Sequence, residues 1–94
     1  MDGVRYDYPD YMEEGGFAYM EKKGSKAFSL IPVYQSSTFP THVSMATGVT
    51  PDKHGILHNS FFDKQRGSFS YGADASWIES EPVWSIVEKN NIKT

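Results

Sequence analysis

The kind of apolar residue this chain carries is what most constrains its fold. Only two leucines, Leu30 and Leu57, stand against six phenylalanines, six tyrosines and two tryptophans. A core built from these residues must be aromatic, and each large ring needs neighbours on several sides before it is well packed. A chain of 94 residues also buries a smaller share of its surface than a longer one, which leaves it marginal without help. Both facts suggest a piece of something larger.

Charge and composition then narrow the partners. The formal net charge is −3, and its signs are mixed along the chain. No extended basic patch is present, so a nucleic-acid polymer is not an expected partner. The early carboxylates Asp7, Asp10, Glu13 and Glu14, followed by Lys22, Lys23 and Lys26, read as a solvated surface. Cysteine is absent, which removes disulfide and thiolate chemistry. No apolar run reaches membrane-spanning length, and no secretory signal pattern is seen.

Periodicity and punctuation give the elements. Residues 17–23 read as a short helix, with Phe17 and Met20 on one face and Gly24 as its stop. Residues 27–31 then look like a buried strand ending at Pro32. A hydroxyl-rich loop leads to a helix from about residue 40 to 47, where Pro40 suits the first turn and Gly48 the end. Residues 61–71 suggest a hairpin turning around "DKQRG". Glu81-Pro82 opens a further helix with Val83, Ile86 and Val87 as its apolar stripe, and "NIKT" at the end looks like the start of a strand. Strands alternating with helices imply an α/β fold with a parallel sheet. One or two parallel strands cannot cover both faces of a sheet, so the expectation for residues 1–94 is an excised portion of a larger α/β domain, incomplete at both ends.

The stretch "SSTFPTHVSMATGVTPDKHGILHNS", residues 36–60, carries the candidate chemistry. With a helix beginning near Pro40, Thr38 lies beside free backbone N–H groups at the positive end of the helix dipole, a good setting for a phosphate. A threonine hydroxyl is a weak nucleophile and needs a base or a metal ion; no Lys or His adjoins it in sequence, so a metal is the more economical activator. The plain structural alternative is an ordinary N-cap. Asp2 in "DG" reads as a turn residue, unless a strand precedes it and sets its carboxylate at a sheet edge. Asn59 either satisfies a loop backbone or donates its amide to a phosphate oxygen. His42, His54 and His58 invite a metal reading, but Pro51, Asp52 and Gly55 argue against one helix carrying His54 and His58, and His42 reads as a satisfied buried imidazole.

Four segments in order, "DGVRYDY" at Asp2, "STFPTHVSMATGVTPDKHGI" from Ser37, "NSFFD" at Asn59 and "EPVWSIVEKNNIKT" from Glu81, resemble the type I phosphodiesterase/nucleotide pyrophosphatase family of the alkaline-phosphatase superfamily. The resemblance implies a partial alkaline-phosphatase-like fold, a parallel sheet flanked by helices, and hydrolysis of phosphodiester or pyrophosphate bonds in nucleotide-type small molecules. Thr38 matches the family's nucleophile and Asp2 an aspartate that binds one of two zinc ions. Asn59, with the backbone N–H of Phe39, matches the pair that holds a phosphate oxygen. On this resemblance zinc stabilises the Thr38 alkoxide, a phospho-threonine intermediate forms, and water resolves it. Thr41 stands where the family usually has Asn. Asp2 and Thr38 are the only zinc ligands the resemblance places here, so the isolated chain is expected to be inactive. The resemblance suggests a secreted, periplasmic or membrane-anchored parent. Two other readings remain open: a superfamily relative acting on phosphomonoesters, phosphonates or phospholipid head groups, and a truncated, non-catalytic interaction module that self-associates through unpaired sheet edges.

Overall fold

The computed structural model describes residues 2–71 and 74–94. The chain divides into two compact units, Met1–Ile31 and Pro32–Thr94.

In the first unit a 3-10 helix, Tyr8–Tyr11, precedes α1, Gly16–Lys23. Gly24 ends α1 as expected, but not by a left-handed turn: its φ of −120° is ordinary extended backbone. Space is what calls for glycine here. A Cβ would stand 3.0 Å from the Met20 carbonyl oxygen, the acceptor that closes the helix. Lys26 pairs with the carboxylates of Asp10 and Glu21 on an exposed face, in keeping with a solvated surface.

The strand expected at 27–31 is absent. Phe28, Leu30 and Ile31 are 87%, 73% and 87% exposed, and the segment joins no ladder. Apolar, β-prone residues supply only a tendency; a strand exists when its N–H and C=O groups find a neighbouring strand. The same holds for "NIKT", where Asn91 sits at φ +60° and no strand follows. Among the described residues the sheet is a two-stranded antiparallel hairpin, and the expected parallel sheet is not seen. The content is α/β all the same.

The second unit contains α2 (Thr38–Thr47), α3 (Pro51–His54), β1 (Phe61–Asp63), β2 (Gly67–Phe69), a 3-10 helix (Ala75–Trp77) and α4 (Val83–Lys89). The hairpin forms where the sequence suggests, with Phe61 opposite Phe69 and Asp63 opposite Gly67. Its turn is built by the Asp63 carboxylate, which accepts the N–H groups of Arg66 at 2.7 Å and Gln65 at 2.8 Å. These two bonds hold the Asp63 carboxyl below the usual range. Gly67 follows at φ +83°, a conformation that disfavours any side chain.

Helix α2 packs on α3 and α4. The stripe expected on α4 is only partly covered: Val83 and Ile86 are 53% and 47% exposed, and Val87 is half-buried. The helix begins one residue after Pro82, which serves as its N-cap.

Rings make the core, as the shortage of leucine demands. Ile56 and Phe69 are its buried hydrophobes, joined by Pro40, Pro51 and His54. Phe69 is the hub of the cluster. It stacks on Phe61 at 4.8 Å and meets Trp77 and Phe39 edge-on at 5.4 and 5.8 Å. The Arg66 guanidinium covers Trp77 at 4.2 Å and donates to the carbonyl and hydroxyl of Ser76, both at 2.9 Å. Replacing Phe69 by Ala strips three rings of their shared partner and is expected to cost about 3 kcal/mol or more. Urea denaturation followed by tryptophan fluorescence measures it, and an unchanged midpoint would remove Phe69 from the centre of the core.

Candidate active site

The entry to α2 is set by a tight turn. The Ser36 N–H donates to the Val33 carbonyl at 2.9 Å, and Ser36 takes φ +50°. A non-glycine residue in this left-handed region costs roughly 1–2 kcal/mol, so packing on either side must hold it. Ser37 then turns extended and acts as N-cap, its carbonyl receiving the Thr41 N–H at 3.2 Å. The helix therefore starts earlier than residue 40. Thr38 is its first residue, not its N-cap; Phe39 is second and Pro40 third. Proline at the third position removes a donor that the first turn could not have satisfied within the helix anyway.

An N-cap serine normally accepts from the second or third N–H. Here Ser37 does not: its Oγ donates to the Gln35 carbonyl at 3.1 Å and meets His58 Nε2 at 3.1 Å. The capping acceptor comes from 20 residues further along. Asn59 Oδ1 receives the Phe39 N–H at 2.9 Å. The other end of that amide, Nδ2, donates to the Tyr71 hydroxyl at 3.2 Å, and the Tyr71 ring lies 4.6 Å from that of Phe39. The two groups assigned to a phosphate oxygen, the Phe39 N–H and the Asn59 amide, are thus side by side beside Thr38, bonded to each other. Ser37, His58 and Tyr71 were missed as parts of this site. His58 and Ser37 directly precede Asn59 and Thr38, a signal available in the sequence; Tyr71 had none, because only the closed hairpin delivers it.

The histidines take other roles than expected. His42 is exposed, not buried, and donates from Nδ1 to the Thr38 carbonyl at 2.8 Å. The satisfied buried imidazole is His54, which is 0% exposed. Its Nδ1 accepts the Ile56 N–H at 3.1 Å, so the proton sits on Nε2, which lies 2.9 Å from Ser44 Oγ on α2. Burial is the main reason its pKa falls below the ordinary 6.5, with hydrogen bonding to its own backbone and that of Pro40 opposing. Thr41, by contrast, keeps a buried hydroxyl without a hydrogen-bond partner among the described residues, so it does not act as a cap.

Asp2 lies in the first unit, exposed, in a turn with Gly3 at φ +67°. Among the described residues no group of three or more His, Cys, Asp or Glu side chains could hold a metal ion, which removes the three-histidine site. Structural zinc sites take about four donors and catalytic ones about three from protein. One carboxylate and one hydroxyl do not make a closed zinc site from this chain's residues alone. No helix among the described residues is long and apolar enough to cross a membrane.

A family model described as type I phosphodiesterase/nucleotide pyrophosphatase matches residues 1–94. The chain belongs to this family. Among its relatives, an uncharacterized pyrophosphatase/phosphodiesterase of Schizosaccharomyces pombe is 32% identical over 101 residues, covering all of this chain and 21% of the relative. Ectonucleotide pyrophosphatase/phosphodiesterase family member 1 of Homo sapiens is 32% identical over 103 residues, covering all of this chain and 11% of the relative. An ectonucleotide pyrophosphatase/phosphodiesterase of Caenorhabditis elegans is 33% identical over 97 residues, covering 99% of this chain and 12% of the relative. The chain therefore spans about a fifth or less of the length of these curated phosphodiesterase relatives.

The His54 brace makes the stability of the fold pH-dependent. The unfolded histidine binds a proton near pH 6.5, while the folded one does so only at lower pH. Its contribution is complete above that value and is lost as pH falls through the folded pKa. The unfolding midpoint is expected to drop as pH falls from above 6.5 to below it, and to drop less in His54→Gln. Thermal melts across that range check this; equal slopes in the two proteins would contradict it.

Proposed function

We propose that this segment forms part of a catalytic domain that hydrolyses phosphodiester or pyrophosphate bonds in nucleotide-type small molecules, with Thr38 as the nucleophile. The observation that carries the reading is the Phe39 N–H to Asn59 Oδ1 bond of 2.9 Å at the first turn of α2, next to Thr38. It marks a strong backbone donor whose present acceptor is exchangeable. A phosphoryl oxygen is charged and makes a hydrogen bond roughly twice as strong as a neutral amide does. It takes the Phe39 N–H, and Asn59 turns its Nδ2 toward the same oxygen. The dipole of α2 favours the negative charge that gathers there.

The Thr38 oxygen, losing its proton, then attacks phosphorus; one P–O bond breaks, the departing oxygen takes up a proton, and the phosphorus stays bonded to Thr38 with its other ester group still in place. Water attacks the same phosphorus in a second step and releases the hydroxyl. Thr38 needs activation for the first step. We include in the proposal two zinc ions in the complete domain, with Asp2 and Thr38 each giving one donor, whose Lewis acidity would supply it. The other donors would come from a longer protein, so the 94-residue chain by itself is inactive.

In the longer protein carrying this segment, Thr38→Ala is expected to lower turnover of a chromogenic phosphodiester by on the order of a thousandfold or more. A phosphomonoester assayed in parallel should be the poorer substrate. Near-normal turnover in the variant would overturn the assignment of Thr38, and preference for the monoester would overturn the substrate class.

A further inference from the structure

Two hydrogen bonds join the same two segments side by side. One is Phe39 N–H to Asn59 Oδ1 at 2.9 Å; the other links Ser37 Oγ and His58 Nε2 at 3.1 Å. The first must open whenever a phosphoryl oxygen takes the Phe39 N–H. The second need not, because Ser37 and His58 face each other and not that donor. The Ser37 hydroxyl spends its proton on the Gln35 carbonyl at 3.1 Å, so it is an acceptor toward His58, and Nε2 is the donor. His58 also follows Ile56, which is 1% exposed and anchors this end of the segment in the core.

We propose that His58 is a positioning residue for the phosphoryl site: its Nε2–H, bonded to Ser37 Oγ, keeps Asn59 in register with the start of α2 while the Asn59–Phe39 bond is exchanged for phosphate. The inference rests on the functional reading above. It needs no proton transfer by His58 and no contact between His58 and substrate. Its effect reaches the reacting phosphorus through Asn59.

The test is a set of variants of the longer protein, assayed for kcat/KM on a chromogenic phosphodiester, with a thermal melt of each. One hydrogen bond to an orienting side chain is worth about 0.5–1.5 kcal/mol, so His58→Ala is expected to lower kcat/KM about three- to tenfold. His58→Gln, whose terminal amide can donate from nearly the same place, should restore most of it. In an Asn59→Ala background, His58→Ala should cause no further loss, because the residue through which it acts is gone. Full activity of His58→Ala, or the same loss with and without Asn59, would overturn the inference; the second outcome would show a general structural role. Failure of the functional reading is separate, because it is reported by Thr38→Ala retaining turnover.

Discussion

In the second unit one hydrogen bond, from the Phe39 N–H to Asn59 Oδ1, sets the start of α2 against the segment that leads into the hairpin. Pro40 withholds a donor from the first turn of α2, and Ser37 spends its hydroxyl on Gln35 and His58. The turn is therefore capped from outside, by a side chain at the threshold of the hairpin. That arrangement ties three things together: the start of α2, the segment leaving Ile56, and, through Tyr71, the far side of β2. A cap that belongs to another segment can be exchanged without unwinding the helix. The proposed function calls for such a cap, since a phosphoryl oxygen would take over the same N–H, which needs a partner in both states.

The core around this bond shows how a leucine-poor chain makes up its packing. Phe69 gathers Phe61, Trp77 and Phe39, and Arg66 closes the outer face of Trp77. His54 is the fully buried polar member of this core. It reaches Ser44 on α2 and Ile56 beyond α3, while its own carbonyl receives the Glu79 N–H at 3.0 Å. Gly55 at φ +79° lets that segment approach: a Cβ there would stand 3.2 Å from the Glu79 side chain. A buried neutral imidazole can do this because both of its ring nitrogens find partners.

Much of this was legible in the sequence where the signal is local. Gly24 and Gly48 stop α1 and α2, Pro82 opens α4, and "DKQRG" turns the hairpin. The proximity of Thr38, Phe39 and Asn59 was legible through the family motif. What failed depends on partners distant in sequence. Residues 27–31 have the composition of a strand but no ladder among the described residues. His42, expected to be buried, is exposed, and the buried imidazole is His54, because burial is decided by which helix face meets the core and sequence spacing does not say which. Pro40 does lie in the first turn of α2, but as its third residue, so the helix starts two residues before the proline that marks it in the sequence.

On the proposed function, the hydroxyl at the first position of α2, Thr38, is the one that bonds to phosphorus. The most direct measurement is an acid quench of the longer protein during turnover of a nucleotide phosphodiester, followed by peptide mass spectrometry across residues 36–47. The expected adduct is a phosphodiester on Thr38 that keeps the nucleotide's retained ester group, absent from Ser36 and Ser37. An adduct on either serine, or none at any time during turnover, would contradict it.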